Sequence, residues 1–177
     1  DTLKSEYEEK NRLKLESINK MAKRMEFYKK EIIKYVKANM YNEQTNTLKR
    51  NTKDNIVDIS LLGAVVPFEM CNAKEKIVQN TVERINMTLR TYTGGYLRFE
   101  GDHYRGGNSP WSISTLWMAL YYKKIGEKEK AEQCIEFIIN SANEHGFIGE
   151  QIDNNTLEPN WVIGLAWAHA MLILAID

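Results

Sequence analysis

Residues 109–146 read SPWSISTLWMALYYKKIGEKEKAEQCIEFIINSANEHG. They place two helices of opposite character back to back. Ser109 caps and Pro110 suits the first turn, a strong helix start. The helix that follows, WSISTLWMALYYKKI, is apolar on most sides and therefore expects burial on most sides. Gly126 stops it. After a short link, residues 128–145 turn Ala131, Ile135, Ile138 and Ala142 to one face and leave Lys128, Lys130, Glu132 and Glu136 for water. Gly146 is the C-terminal stop. A buried helix linked closely to a surface helix is one hairpin of a two-layer helical protein.

The same alternation recurs on both sides. Upstream, Ile18, Met21, Met25, Tyr28, Ile32 and Tyr35 form one stripe at spacings of three and four, on a long helix that ends near Asn39. A coiled coil would give the same stripe; a packed outer helix is the expected reading. A polar stretch at 39–56 leads to an apolar segment, Val57 to Val66, ended by Pro67. Asn72 and Glu75 then have capping-box spacing before an amphipathic helix over about 73–91, with Ile77, Val78, Val82, Ile85 and Leu89 facing in. Downstream, the polar loop GFIGEQIDNNTLEPN leads to an apolar helix over about 161–176. The unit repeats at a period of roughly 50 residues, as helical arrays do. The expected fold is all-α, one domain over residues 1–177, with three helical hairpins in two layers. Alternate helices run antiparallel, so the three long loops share one end, and a site belongs there.

Composition narrows the function. The 177 residues are 43% hydrophobic and 27% charged, with formal net charge +0, which is ordinary globular composition. A nucleic-acid binder should carry a basic surplus. Cys71 and Cys134 have no metal spacing and read as small buried groups. The apolar run Val162 to Ile176 is shorter than the roughly 20 residues a membrane span needs. No signal peptide is seen, and a cytoplasmic protein is the expectation. The three histidines, His103, His145 and His169, show no ligand spacing, and nucleotide-loop, zincin and serine-hydrolase signatures are absent. No metal or cofactor is expected.

The loop GGYLRFEGDHYRGGNSPW at 94–111 carries most of the remaining signal. Long loops in compact domains are functional or disordered, and disordered segments are poor in aromatics. Rings set among charges on a glycine-rich backbone suit a sugar. Carboxylates lie on the same-end loops: Glu100 and Asp102 on one, Glu150 and Asp153 on another. Carboxylate pairs across a groove perform glycoside hydrolysis, although a loop carboxylate is ordinarily just solvated. Trp111 stands beside the loop; His169 sits inside an apolar helix and reads as a core histidine.

These residues resemble a known family. The run Arg98-Phe99-Glu100-Gly101-Asp102-His103-Tyr104-Arg105-Gly106-Gly107-Asn108-Ser109-Pro110-Trp111 resembles a glucoamylase-family segment of arginine, aromatic, Asp, Tyr, Gly-Gly-Asn and Pro-Trp, with one residue extra here. Gly146 to Gln151 resembles the segment presenting that family's general base, with Glu150 at the base and Gln151 after it. Trp167-Ala168-His169-Ala170 resembles a motif of its last inner helix, and Val57 to Leu62 the start of another. The resemblance spans nearly the whole chain in order. It implies half of an (α/α)6 toroid, the C-terminal half, acting on the ends of an α-glucan oligosaccharide with inversion. Glu150 would be the base; Arg98, Asp102, Tyr104, Trp111 and Gln151 would bind substrate. Glucodextranase-like and trehalase-like enzymes are the nearest variants. A non-catalytic glucan-binding or regulatory helical domain is the alternative, and a plain scaffold a third reading.

One departure matters. The family's general acid lies in a Trp-Glu context, and the four tryptophans here precede Ser112, Met118, Val162 and Ala168. The acid is therefore expected elsewhere, and this chain by itself is expected to be inactive. Three hairpins also make an open arc, so a missing N-terminal half or self-association is expected to cover its inner face.

Overall fold

The computed structural model describes residues 2–177, with side chains from Tyr7 onward. The chain divides at Asn39 and Met40 into two units. The first is one helix, α1 (Thr2–Asn39). Nothing in its sequence breaks it, and Arg12 bonds Glu9 at 2.7 and 3.0 Å along its surface. Such exposed pairs add little stability. All six stripe residues, Ile18 to Tyr35, are solvent-exposed.

The second unit, Met40–Asp177, begins with two short strands inside the polar stretch, β1 (Tyr41–Asn42) and β2 (Thr47–Leu48). The Leu48 N–H donates to Thr81 Oγ1 at 2.8 Å and fastens this turn to α2 (Lys76–Thr88). Between them the apolar segment forms a six-residue 3-10 helix, Ile59–Ala64, shorter than its hydrophobicity predicts. The reason is local. Asp58 pairs with Phe99 as an isolated antiparallel bridge, so the first residues of the segment are spent on strand pairing. Asp58 then caps the turn, accepting from the Ser60 N–H at 2.8 Å. The predicted capping residues also act one step early: Asn72 N–H donates to Glu75 Oε1 at 2.8 Å, and the helix proper starts at Lys76.

Helix α3 (Ser112–Ile125) is the buried element that its sequence implies, with eight of its residues buried around its circumference. Gly126, at φ +83°, ends it in a left-handed turn in which Glu127 N–H reaches Tyr122 O at 2.9 Å and Gly126 N–H reaches Lys123 O at 3.1 Å, a Schellman arrangement. Helix α4 (Lys128–Asn140) packs on α3 through Ala131, Cys134 and Ile138, and the chain runs on through strands β3 (Gly149–Ile152) and β4 (Pro159–Ile163) to α5 (Ala166–Ile176). α3 also packs on α5. Ser112, at the start of α3, donates to Gly149 O ahead of α5 at 2.7 Å, and Lys123 near its end donates to Ala175 O at 3.0 Å. The two inner helices thus run parallel, with α4 returning between them. The class is all-α with small sheets. The reading of 146–160 as a polar loop, and of the last helix as starting near 161, is corrected. β3 and β4 form an antiparallel hairpin, and the helix begins at Ala166.

Thr115 links core to loop. Its hydroxyl accepts from the Tyr96 N–H and donates to Trp111 O, both at 3.0 Å, and the residue is fully buried. Thr115→Val keeps the shape and leaves a buried N–H unpaired. The expected cost is about 1–3 kcal/mol, measurable as a lower urea midpoint.

Candidate functional site

Four separated segments are hydrogen-bonded side by side at the end of the unit where α3 begins. Ile59 N–H donates to Arg98 O at 2.7 Å and Glu100 N–H to Val57 O at 3.2 Å. Trp111 N–H donates to Tyr96 O at 2.8 Å, and Ile152 N–H to Pro110 O at 2.9 Å. Trp111 and Gln151 form an antiparallel bridge. This discontinuous ribbon places the loop at 94–111 beside the β3–β4 hairpin, and so places Arg98, Asp102, Tyr104 and Trp111 near Glu150 and Gln151.

Arg98 is the hub of the polar contacts. Its Nε and Nη2 bond the two oxygens of Asp102 at 2.8 and 2.9 Å. Its guanidinium lies 4.0 Å from the Trp111 ring centre and 5.2 Å from that of Tyr104. The Tyr104 and Trp111 rings stand 5.5 Å apart, tilted by 45°. Hydrogen bonding to Asp102 raises the Arg98 pKa most; partial burial opposes it, and the charges of Asp102, Glu150 and Asp58 add to the rise. The Glu150 carboxylate therefore acts on the same cation that clamps Asp102. Gly107, at φ +74°, lets the chain turn tightly back over Asp102, since a Cβ there would fall 2.3 Å from the Asp102 carbonyl oxygen.

Glu150 is half-buried, and its Oε2 is buried without a hydrogen-bond partner. The neighbouring Gln151 is 1% exposed, and its Oε1 is also unpartnered. Leaving such atoms unpaired costs about 1–3 kcal/mol each. The Glu150 carboxylate, half-buried and within electrostatic reach of Arg98, thus keeps an oxygen that no group of the described residues satisfies.

The other carboxylates are otherwise engaged. Glu100 holds Arg84 through bonds of 2.8 and 2.7 Å and accepts from the Val57 N–H. Burial pushes its pKa up, but Arg84 and Val57 outweigh that and hold it low. Asp102 is likewise held low: burial opposes, and Arg98 with the Tyr104 N–H prevails. Neither is kept protonated, so neither is prepared to donate a proton as a general acid. Asp153 accepts from the Asn155 and Thr156 N–H groups in the hairpin turn. His169 binds Leu165 O through Nδ1 at 2.9 Å and faces the Ile148 N–H with Nε2 at 3.3 Å, a structural role. Cys71 and Cys134 are both buried, with burial pushing Cys134 up to about 12. Three residues of this end escaped the sequence reading: Asp58, Arg105 and Trp161. Trp161 was hidden because a five-residue strand with a left-handed residue shows no clean alternation.

No protein-family model matches the chain. It is 28% identical over 173 residues to an uncharacterized glycosyl hydrolase of Methanocaldococcus jannaschii, covering 91% of this chain and 28% of that protein. It is 28% identical over 149 residues to Trehalase 1 of Sulfolobus acidocaldarius, covering 84% of this chain and 26% of that one. Among solved structures, a glutamate-to-alanine variant of a glycosidase in complex with glucose matches at TM-score 0.73 and 22% identity, over 83% of this chain and 42% of that chain. Bacterial glucoamylase complexed with acarbose matches at TM-score 0.62 and 26% identity, over 71% of this chain and 20% of that chain. The fold is glucoamylase-like. The sequence relationship runs to glycosyl hydrolases and trehalases, and the chain spans little more than a quarter of the length of these curated relatives. The glucoamylase-like unit thus corresponds to helical hairpins of half a toroid. Among its described residues, no helix is long and apolar enough to cross a membrane.

The Arg98–Asp102 clamp predicts a pH signature. The folded pKa of Asp102 is depressed, so on acidification the unfolded chain takes up the proton first. The clamp's contribution is full above the ordinary Asp value of about 3.9 and is lost as pH falls through the lower folded value. Asp102→Asn should lower stability at neutral pH by about 1.5–3 kcal/mol and flatten the acid limb of a stability-against-pH curve. An unchanged acid limb would show that Asp102 carries no such linkage.

Proposed function

We propose that this chain is one domain, the C-terminal half of the catalytic domain of an inverting glycoside hydrolase that releases glucose from α-linked glucan ends. The unpartnered, buried Oε2 of Glu150 beside the Arg98–Asp102 clamp carries this reading. Glu150 acts as general base: it takes a proton from a water whose oxygen attacks the anomeric carbon. The glycosidic oxygen departs with a proton from a general acid outside this chain, and the configuration inverts. The two carboxyl groups must stand about 6.5–9.5 Å apart to admit that water. Asp102 has both oxygens on Arg98, so it positions the arginine, whose remaining N–H groups reach sugar hydroxyls. Tyr104 supplies an exposed ring face, and the buried Trp111 and Gln151 back the site, Trp111 holding Arg98 against its ring. Trehalose joins maltooligosaccharides as a candidate substrate because two of the matched relatives are named trehalases.

The acid comes with the covering half. Val162, Ile163, Ile173, Leu174 and Ile176 are each at least 50% exposed on β4 and α5. Apolar surface exposed both on β4 and at the far end of α5 marks an interaction face, and the first half of the toroid, or a second copy, is its proposed occupant. The non-catalytic glucan-binding alternative rests on one observation: Glu100 and Asp102, the carboxylates on the loop at 94–111, are both committed to arginines.

The test is Glu150→Gln in the assembled protein. Hydrolysis of maltose or trehalose should fall by at least about 10²–10⁴-fold, the scale of a lost general base, while titration calorimetry still detects sugar binding. Unchanged turnover would remove Glu150 from the role. Binding without turnover in the unmutated assembly would favour the glucan-binding alternative.

A further inference from the structure

The strand carrying Glu150 is opposed by a bulge. In the β3–β4 register Gly149 faces Ile163 and Gln151 faces Asn160. Glu150 alone therefore stands opposite two residues, Trp161 and Val162. Bulges of this kind re-aim side chains and are over-represented next to active sites. Trp161 takes up the extra length in a left-handed conformation, φ +57°, which is rare and costly for so bulky a residue. The residue is nevertheless 41% exposed. No burial of its own repays that strain.

Trp161 has one close partner. The Arg105 guanidinium lies 3.6 Å from its ring centre, and Arg105 is itself left-handed, φ +51°. Arg105 also lies 5.9 Å from the Tyr104 ring centre. Tyr104 continues to Trp111, and Trp111 to Arg98. A ladder of rings and cations thus runs from the Arg98–Asp102 clamp past Trp111 and Tyr104 to Arg105 and Trp161, across from Glu150. Arg105 covers one face of the indole and fixes its plane, which leaves the exposed remainder as a preorganised flat surface.

We infer that Trp161, held by Arg105, is a stacking platform for a second sugar ring, next to the one that the Arg98–Asp102 clamp binds. The inference rests on the sugar-site reading above. The ligand class is a disaccharide or longer glucoside, because the platform lies at the far end of the ladder from the clamp. Trp161 is then a specificity residue: it separates substrates by the sugar beyond the ring under attack, and leaves binding of that first ring untouched.

The experiment compares glucose with maltose and trehalose by titration calorimetry, using the assembled protein with Glu150→Gln to prevent turnover. Adding Trp161→Ala should weaken disaccharide binding about tenfold while glucose affinity changes less than about twofold, and Trp161→Phe should restore most of the loss. Equal losses for glucose and disaccharide, or no loss for either disaccharide, would overturn the platform and leave the sugar-site reading standing. No binding of any sugar before Trp161 is changed would overturn both.

Discussion

The short lead-in to α3, Ser109-Pro110-Trp111, is hydrogen-bonded on both sides. On one side Trp111 N–H reaches the Tyr96 carbonyl; on the other the Pro110 carbonyl takes the Ile152 N–H. Three residues therefore tie the glycine-rich loop and the β3–β4 hairpin to the same point. Below them, Thr115 and Ser112 extend that tie into the buried helix, through Tyr96 and Gly149. The clamp, the rings and Glu150 all hang from this junction. The core of α3 supplies its rigidity, and catalytic geometry demands such rigidity.

The division of labour among charges follows. Two acids of this end are consumed by ion pairs, Glu100 by Arg84 and Asp102 by Arg98, and Asp58 and Asp153 by backbone N–H groups. Glu150 alone keeps an unpartnered buried oxygen among the described carboxylates. That contrast separates it from its neighbours more sharply than loop position does. It also explains why the proposed chemistry needs a second acid from outside this chain.

Much of the helical frame was legible in the sequence because its signals are local and redundant. α3 carries a start signal, an apolar run and a glycine stop, and the structure sets it at Ser112–Ile125. α4 buries Ala131 and Ile138 as expected, with Cys134 buried beside them and Ile135 only partly so; it ends at Asn140, before Ala142, and Asn143 turns the chain by accepting from the His145 and Phe147 N–H groups. The misreadings share a cause. The segment at 57–66 and the hairpin at 149–163 take their form from pairing with residues distant in the chain, such as Asp58 with Phe99 and Gln151 with Asn160. Hydrophobic period carries no record of such partners. Loop position marked Asp102 and Glu150 as two of four carboxylates at one end, and only resemblance to a family chose between the four and added Arg98. Trp161 had neither period nor motif to mark it.

The central claim is that one junction assembles the clamp, the rings and Glu150 into a single sugar site. The most direct measurement is a crystal structure of the assembled protein soaked with glucose. The account predicts a hexose with hydroxyls on Arg98, a ring face toward Tyr104, and the Glu150 carboxylate facing the β side of the anomeric carbon, on its β-hydroxyl or on a water in that place. Glucose bound elsewhere, or bound here with Glu150 turned away from the anomeric carbon, would contradict it.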